Sequence, residues 1–480
     1  MKILFENCTL PLSGGACFAV EGEFFVPARP PYDRRVDLGG ACVLPAFPDA
    51  HSHILAYALS LLQVDGGACR TAQDFLAAAE TFAREQGLGQ GELVTVKNAQ
   101  ALPEQGALDS ARPIHIQHAS GHAGVFNAAA LRLLGLPADM GIAQEKTYLA
   151  ATKRVPMPAF EAVGRAFQAA QRTYLAHGMT TAQEGFLSRE MFPLYRRLLA
   201  ETPPLPDIVA FPSPDSYDEA CRLFCAAPRF CIGGVKIFLD GSPQLKTALL
   251  REPYEGGGMG AQEMTPAQVY ETCRFAAARG AQLLAHCNGD GAARILLGAL
   301  ARLCAKERRA IRPVLIHAQI LGDDQLDEMA RLGAIPSFFP AHVLHWGDTH
   351  LKNLGRMRAQ RISPARSALE RGIPFTLHQD TPVCAPDPLE GARCAVQRRT
   401  ASGEDFSCQA IGAREALIAL TQNAAAQYGD ARKGRIAPGC RADFVVMEGD
   451  PLDDLNSARV AATWLRGAPV YERTAQPRRP

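Results

Sequence analysis

Eight short apolar stretches, most of them closing on polar or charged residues, recur along this chain of 480 residues. They are "CVLPAFPDAHSH" (42–53), "GMTTAQEG" (178–185), "PDIVAFPSP" (206–214), "GGVKIFLDGS" (233–242), "AQLLAHCNGD" (281–290), "RPVLIHAQI" (312–320), "GAIPSFFP" (333–340) and "IPFTLHQDTPV" (373–383). Alanine- and leucine-rich segments with helical spacing separate most of them. In "TPAQVYETCRFAAARG" (265–280), Thr265 suits an N-cap and Pro266 a first helical position. Strands alternating with helices predict parallel βα units. A closed (β/α)8 TIM-type barrel is the expected fold, because it gathers the strand-end residues on one rim, where active sites of that fold are built. The structural alternative is a doubly wound open sheet, and no Gly-rich phosphate loop follows an early strand here.

The chain is longer than a typical single domain, and a barrel of roughly 250 residues or more leaves room for an appendage. The two ends, 1–42 and 434–480, carry short β-like segments such as "ADFVVMEGD" (442–450). Each is too short to bury a core alone, so they are expected to pair as one small composite β-sandwich domain. Residues 43–433 form the expected barrel, with a long insertion at 54–178 between its first and second strands. A formal net charge of +1 creates no field that favours nucleic acid or an anionic membrane. The expected partner is a small molecule, and a homo-oligomer is compatible with that. The opening "MKILFENCTL" lacks a basic head with a long apolar stretch, and no apolar run is long enough to span a bilayer, so a cytoplasmic location is expected. The 14 cysteines contain no CxxC pair and read as reduced thiols.

The chemistry sits at the strand ends. His51 and His53, at i and i+2 on an extended chain, point to one face. Imidazole is the commonest protein metal ligand, although two such histidines are also ordinary polar groups at a strand end. With His286, His317 and Asp380 they make a set able to fill two adjacent sites for zinc or a similar ion, leaving a position for water. Lys236 is the odd member, because an ammonium inside an apolar strand is costly unless paired or neutralised. A salt bridge to Asp240 or Asp380 is the simpler reading on residue chemistry alone. The other is a burial-depressed pKa that makes the amine nucleophilic enough to take up carbon dioxide as a carbamate.

The set "LPAFPDAHSH", "VKIFLDGS", "AHCNGD", "IHAQ" and "HQDTPV", with "LTQNAAAQYG" and "KGRIAPGCRADFVVMEGDPL", resembles the metal-dependent amidohydrolase superfamily, and more narrowly amidohydrolase family 3, the group of N-substituted formamide deformylase. The resemblance spans nearly the whole chain. It implies a (β/α)8 barrel, a β-sandwich built from both termini and a metal centre at the strand ends. It assigns His51, His53, Lys236, His286, His317 and Asp380 as metal ligands, with Lys236 as the lysine carboxylated in many members and bridging two divalent ions. Zinc is expected, and other divalent metals suit the same ligands. The implied function is hydrolysis of a carbon–nitrogen bond in a small, non-peptide, amide-like substrate by a metal-activated water, with Asp380 as general base and acid.

Three departures from the family pattern bear on specificity. Ala46 stands where glycine is usual, Lys246 where many relatives have arginine, and His378 with Gln379 where a Gly-Ser pair is common before the aspartate. Candidate substrate contacts are His122 in the insertion, which also carries Asn127, then Asp240, His378, and Trp346 in the expected loop "PAHVLHWGDTHLKN" (340–353) with His342, His345 and His350. The glycine run "EGGGMG" (255–260) reads as a lid or a plain flexible loop. The alternative function is a mononuclear-metal deaminase of a heterocycle. A non-catalytic binding protein is less favoured, because every expected ligand position is filled.

Overall fold

The computed structural model describes residues 1–118, 123–307 and 311–473. The protein is α/β, and its chain divides into two compact units, residues 1–56 with 168–480, and residues 57–167.

In the larger unit both chain ends enter one seven-stranded sheet. Its order is Ala468–Glu472, Arg459–Leu465, Phe444–Glu448, Arg34–Pro45, Lys2–Thr9, Cys17–Glu21 and Phe24–Val26. Aromatic packing holds the two ends together. Phe5 stacks on Phe18 at 4.9 Å, Phe444 stacks on Trp464 at 5.3 Å, and Phe5 meets Trp464 edge-on at 5.1 Å. Each such ring buries a large apolar area, and neither terminal segment supplies the whole cluster. The strand Arg34–Pro45 corrects the sequence reading of "CVLPAFPDAHSH" as one barrel strand. Cys42–Pro45 pairs antiparallel with Phe444–Met447, and the parallel strand that follows is only Phe47–Pro48.

The remaining strands of this unit form two parallel sheets. One runs Phe230–Ile232, Asp207–Pro212, Met179–Leu187, Phe47–Pro48; the other runs Gly234–Phe238, Gln282–Cys287, Pro313–His317, Ile335–Phe338, Thr376–Leu377. All neighbours are parallel. The hydrogen bonds among the described residues leave these as two open sheets, where the sequence predicts one closed ring. The chain passes from one to the other at Gly233, where a Cβ would stand 2.6 Å from Val209 Cγ1 and 2.7 Å from Phe211 Cζ.

Local signals act as the sequence predicts in the helix Pro266–Arg279. Thr265 caps it in a reciprocal box with Gln268, and Gly280 closes it in the left-handed region. The stretch 340–353 is a correction, because it is no loop. It opens the helix Ala341–Gln360, broken only at Gly355 (φ 73°), whose buried face includes His342, Val343, Gly347, His350 and Leu354. That spacing is helical, but its polar residues mimic a surface loop. Among the described residues no helix is long and apolar enough to cross a membrane.

The smaller unit holds a five-stranded sheet, ordered Ile142–Gln144, Ala123–Phe126, Ile114–His118, Val94–Ala99 and Val64–Asp65. The helix Ala72–Gln86 supplies Phe75, Ala79 and Ala83 to a core with Val94, Val96, Ile114 and Ile116. Asn127 is structural here. Its Oδ1 accepts from Ala130 N and Ile114 N, capping the helix Ala128–Leu134, and its amide nitrogen donates to the carbonyls of Ser110 and Arg112. His122 lies outside the described residues.

Candidate metal centre

Beyond Pro48 the chain leaves the sheet, and the buried carboxylate of Asp49 fixes where it goes. Asp49 accepts from the backbone amides of His51 and Gln183, each at 3.2 Å, and from the Ser52 hydroxyl. Burial pushes its carboxyl up to about 6 against these bonds. His51 and His53 therefore stand on a turn clamped to the next strand, not on the end of an extended strand. Gly185 is required beside them, since a Cβ there would lie 2.5 Å from His51 Cε1.

Gln183 sets the tautomer of His51. Its amide nitrogen donates to the Ala50 carbonyl at 3.0 Å and to the Tyr428 hydroxyl at 2.7 Å, so its oxygen faces His51 Nδ1 at 2.6 Å. His51 thus carries its proton on Nδ1 and presents the lone pair of Nε2. That Nε2 lies 3.5 Å from Asp380 Oδ1 and 3.5 Å from Lys236 Nζ. His53 Nε2 lies 3.6 Å from the same Asp380 oxygen, while its Nδ1 faces Glu184 at 3.6 Å.

The second sheet delivers the rest. Lys236, on Gly234–Phe238, is 1% exposed, and among the described residues no carboxylate lies within 4.0 Å of its Nζ. The salt bridge expected from residue chemistry is therefore not made. Burial, opposed only by Asp380, pushes the Lys236 ammonium down to about 7. His286 and His317 follow on neighbouring strands, with ring centroids 4.8 Å apart, and His317 Nε2 stands 3.9 Å from Asp380 Oδ2. Left-handed backbone aims two of these groups, with φ 72° at His317 and 52° at Asp380. Such conformations are costly for residues with a side chain and cluster at functional sites.

The donor set fits a divalent cation. The ligand atoms of His51, His53 and Asp380 lie within 4.8 Å of one another. Asp380 Oδ1 is buried without a hydrogen bond. Burial holds His51 and His317 well below the ordinary imidazole pKa, assisted by Lys236 at His51 and by His286 at His317, so both are neutral and able to donate a lone pair. His53 differs, because Glu184 and Asp380 override its burial and raise its pKa. A carboxylate ringed by imidazoles suits zinc and related ions.

The predicted specificity residues fare unevenly. Asp240 is buried with its carboxylate committed to the amides of Leu249, Asn288 and Gly289 at 2.7–3.1 Å, and it faces His286 Nδ1 at 3.4 Å. It is placed to orient His286, not to contact a substrate. His378 is likewise sealed in, held between Ser337 Oγ at 2.9 Å and His317 Nδ1 at 3.3 Å. Trp346 is half-buried, 4.6 Å from the His342 ring and 6.3 Å from Phe339. His350 is fully buried against His342 and Gln319, His345 is exposed near Glu390, and Lys246 donates to the Glu255 carbonyl at 2.7 Å. Three neighbours escaped the sequence reading: Gln183, Glu184 and Asn288. The first two were visible as adjacent polar residues in the apolar strand "GMTTAQEG". Asn288, whose amide nitrogen stands 3.3 Å from His286 Nε2, had no signal beyond its place two residues after that histidine.

The sequence profile described as the amidohydrolase family matches residues 34–471. The YtcJ protein of Bacillus subtilis (strain 168) is 25% identical, covering 92% of each chain. The N-substituted formamide deformylase of Arthrobacter pascens is 27% identical over 96% of this chain and 94% of its own. An uncharacterized metal-dependent hydrolase from Pyrococcus horikoshii OT3 superposes with a TM-score of 0.81, covering 94% of this chain and 98% of that one at 21% identity, a likeness of fold.

Proposed function

The chain belongs to the amidohydrolase family, and from that premise we propose that it is a metal-dependent hydrolase that cleaves the carbon–nitrogen bond of a small, non-peptide amide. One observation carries the reading. The Asp380 carboxylate is flanked by His51, His53 and His317, and its Oδ1 makes no hydrogen bond. In this reading His51, His53, His286, His317 and Asp380 hold up to two divalent ions, with zinc as the expected metal. Lys236 joins them after its neutral amine adds to carbon dioxide, forming the carbamate C–N bond and releasing one proton. When bound, the ions supply Lewis acidity and bring a water pKa from 15.7 down towards ~7.

The side chains do the rest. Asp380 takes a proton from the attacking water and returns it to the departing nitrogen, which would otherwise leave as a high-energy anion. Gln183 keeps His51 in the tautomer that presents Nε2, and Asp240 with Asn288 keeps His286 in place. Trp346 and His342 offer an aromatic wall with polar tips. The two parallel sheets are read as parts of one (β/α)8 barrel spanning 43–433, with an insertion at about 54–178 and a composite β-sandwich domain from 1–42 and 434–480. A cytoplasmic enzyme acting on small molecules is the matching cellular reading.

One observation favours the mononuclear alternative, a heterocycle deaminase: among the described residues only His51, His53 and Asp380 bring their ligand atoms within 4.8 Å of one another. Elemental mass spectrometry on protein grown with zinc and bicarbonate, beside Lys236→Ala, separates the two. Two metals per chain, falling to one or none in the variant, supports the bridged hydrolase. One metal in both makes Lys236 structural and moves the deaminase to the front.

A further inference from the structure

We propose that His378 is a positioning residue for the metal centre: through an imidazole-to-imidazole hydrogen bond it fixes the ring and the tautomer of His317, so that His317 offers the lone pair of its Nε2. The inference rests on the metal centre proposed above. It adds a residue that the family resemblance does not assign, since a Gly-Ser pair is common where His378 and Gln379 stand.

His378 follows the strand Thr376–Leu377 and is fully buried. Its Nδ1 lies 2.9 Å from Ser337 Oγ and its Nε2 3.3 Å from His317 Nδ1. The ring centroids of Phe339 and His51 stand 5.3 and 5.4 Å from its own, so packing holds the ring as well. Among the described residues no carboxylate lies within 4.0 Å of its nitrogens, and a buried imidazolium without such a partner is costly.

A bond between two neutral imidazoles has a direction, because each ring carries one N–H. If His378 Nε2 donated, His317 would accept at Nδ1 and carry its proton on Nε2, the atom 3.9 Å from Asp380 Oδ2, where it could not ligate. Ligation by that atom needs the other direction. His317 Nδ1 then donates to His378 Nε2, and His378 Nδ1 donates to Ser337 Oγ. The backbone alone does not secure this. His317 has φ 72°, which directs its Cβ, but the torsion of an imidazole about Cβ–Cγ is broad and roughly two-fold. A half-turn of the ring would put Cε1 where Nε2 stands. A ring that only fills space leaves that half-turn open, whereas an acceptor at His378 closes it. Three metal-facing histidines then each have a partner of different chemistry: an amide at Gln183 for His51, a carboxylate at Asp240 for His286, and an imidazole at His378 for His317.

The test is chelator competition for zinc in the wild type, His378→Phe and His378→Gln, with the unfolding midpoint of each metal-free protein measured alongside. Phenylalanine keeps a ring and loses the acceptor, while glutamine places an amide oxygen near the position of Nε2. Zinc should bind about 10–100-fold more weakly to His378→Phe, and His378→Gln should recover most of that loss whatever the order of the midpoints. Neutron diffraction from zinc-loaded wild-type crystals should show deuterium on His317 Nδ1 and His378 Nδ1, which decides the matter even if His378→Phe fails to fold. Equal zinc affinity in wild type and His378→Phe, equal losses in both variants, or deuterium on His378 Nε2 overturns the role of His378 alone. A wild type that binds no metal overturns the proposed centre with it.

Discussion

Two aspartates at opposite ends of the parallel strands, Asp207 buried and Asp380 partly so, have inverted surroundings. Asp207, opening the strand Asp207–Pro212, is gripped by Lys433, Arg441 and Arg466. Asp380, beyond Thr376–Leu377, has imidazoles at 3.5–3.9 Å and an oxygen with no hydrogen bond. The same side chain is closed in one place and left open in the other. A carboxylate saturated with cations resists protonation and ties segments together, whereas one facing imidazoles at 3.5 Å or more keeps lone pairs for an ion or a proton.

The comparison breaks most easily at Asp380. Asp380→Asn should lower turnover by at least about 10³-fold, within the range for removing a general acid–base group. Its unfolding midpoint should stay unchanged or rise, because the substitution removes a partly buried charge that lacks a strong partner. Turnover and metal content measured on the same preparation decide it. Most of the activity surviving at full metal loading would remove Asp380 from the chemistry.

Asp207→Asn should show the opposite split. Taking away the one carboxylate shared by three cations costs on the order of 3–5 kcal/mol, read from denaturant midpoints, with kcat little changed in the folded fraction. The acid limb of stability supplies a second check. Burial alone would raise the Asp207 carboxyl, but Lys433 and Arg441 outweigh it and hold the group well below the carboxylate range. A depressed carboxyl stabilises the fold above its unfolded pKa of about 4, and that contribution is lost as pH falls from there towards the lower folded value. The wild type should therefore lose stability below about pH 4 more steeply than Asp207→Asn. Parallel acid limbs would mean that the cluster contributes little.

The two ends also differ in how far the sequence revealed them. The ligand candidates were legible because each closes an apolar run, a pattern that survives without knowledge of packing. Lys236 was legible as a cost, but its missing partner was not, since that depends on which carboxylate the fold brings near. Asp207, Lys433, Arg441 and Arg466 come from distant segments with no motif, so nothing local announces the cluster. The boundary at Cys42–Pro45 was misread because one apolar run serves two sheets in turn, and hydrophobicity does not record that change of partner. The stretch 340–353 was misread because histidines, Trp346 and Asp348 give a helix the composition of a loop.

Gln183 joins the two ends and gives the smallest predicted effect. Gln183→Leu keeps the volume but removes the acceptor that holds the His51 proton on Nδ1, and it frees the Tyr428 hydroxyl to bond only the Asp49 carbonyl. Partners that orient a metal-binding histidine are worth about 10–100-fold in metal affinity, so chelator competition should show a loss of that size. Loss of metal without loss of fold would mean that the chain spends a buried amide on the tautomer of one histidine. An unchanged affinity would mean that the turn clamped by Asp49 suffices to aim His51, and that the polar link from Tyr428 through Gln183 to His51 has no consequence for metal retention.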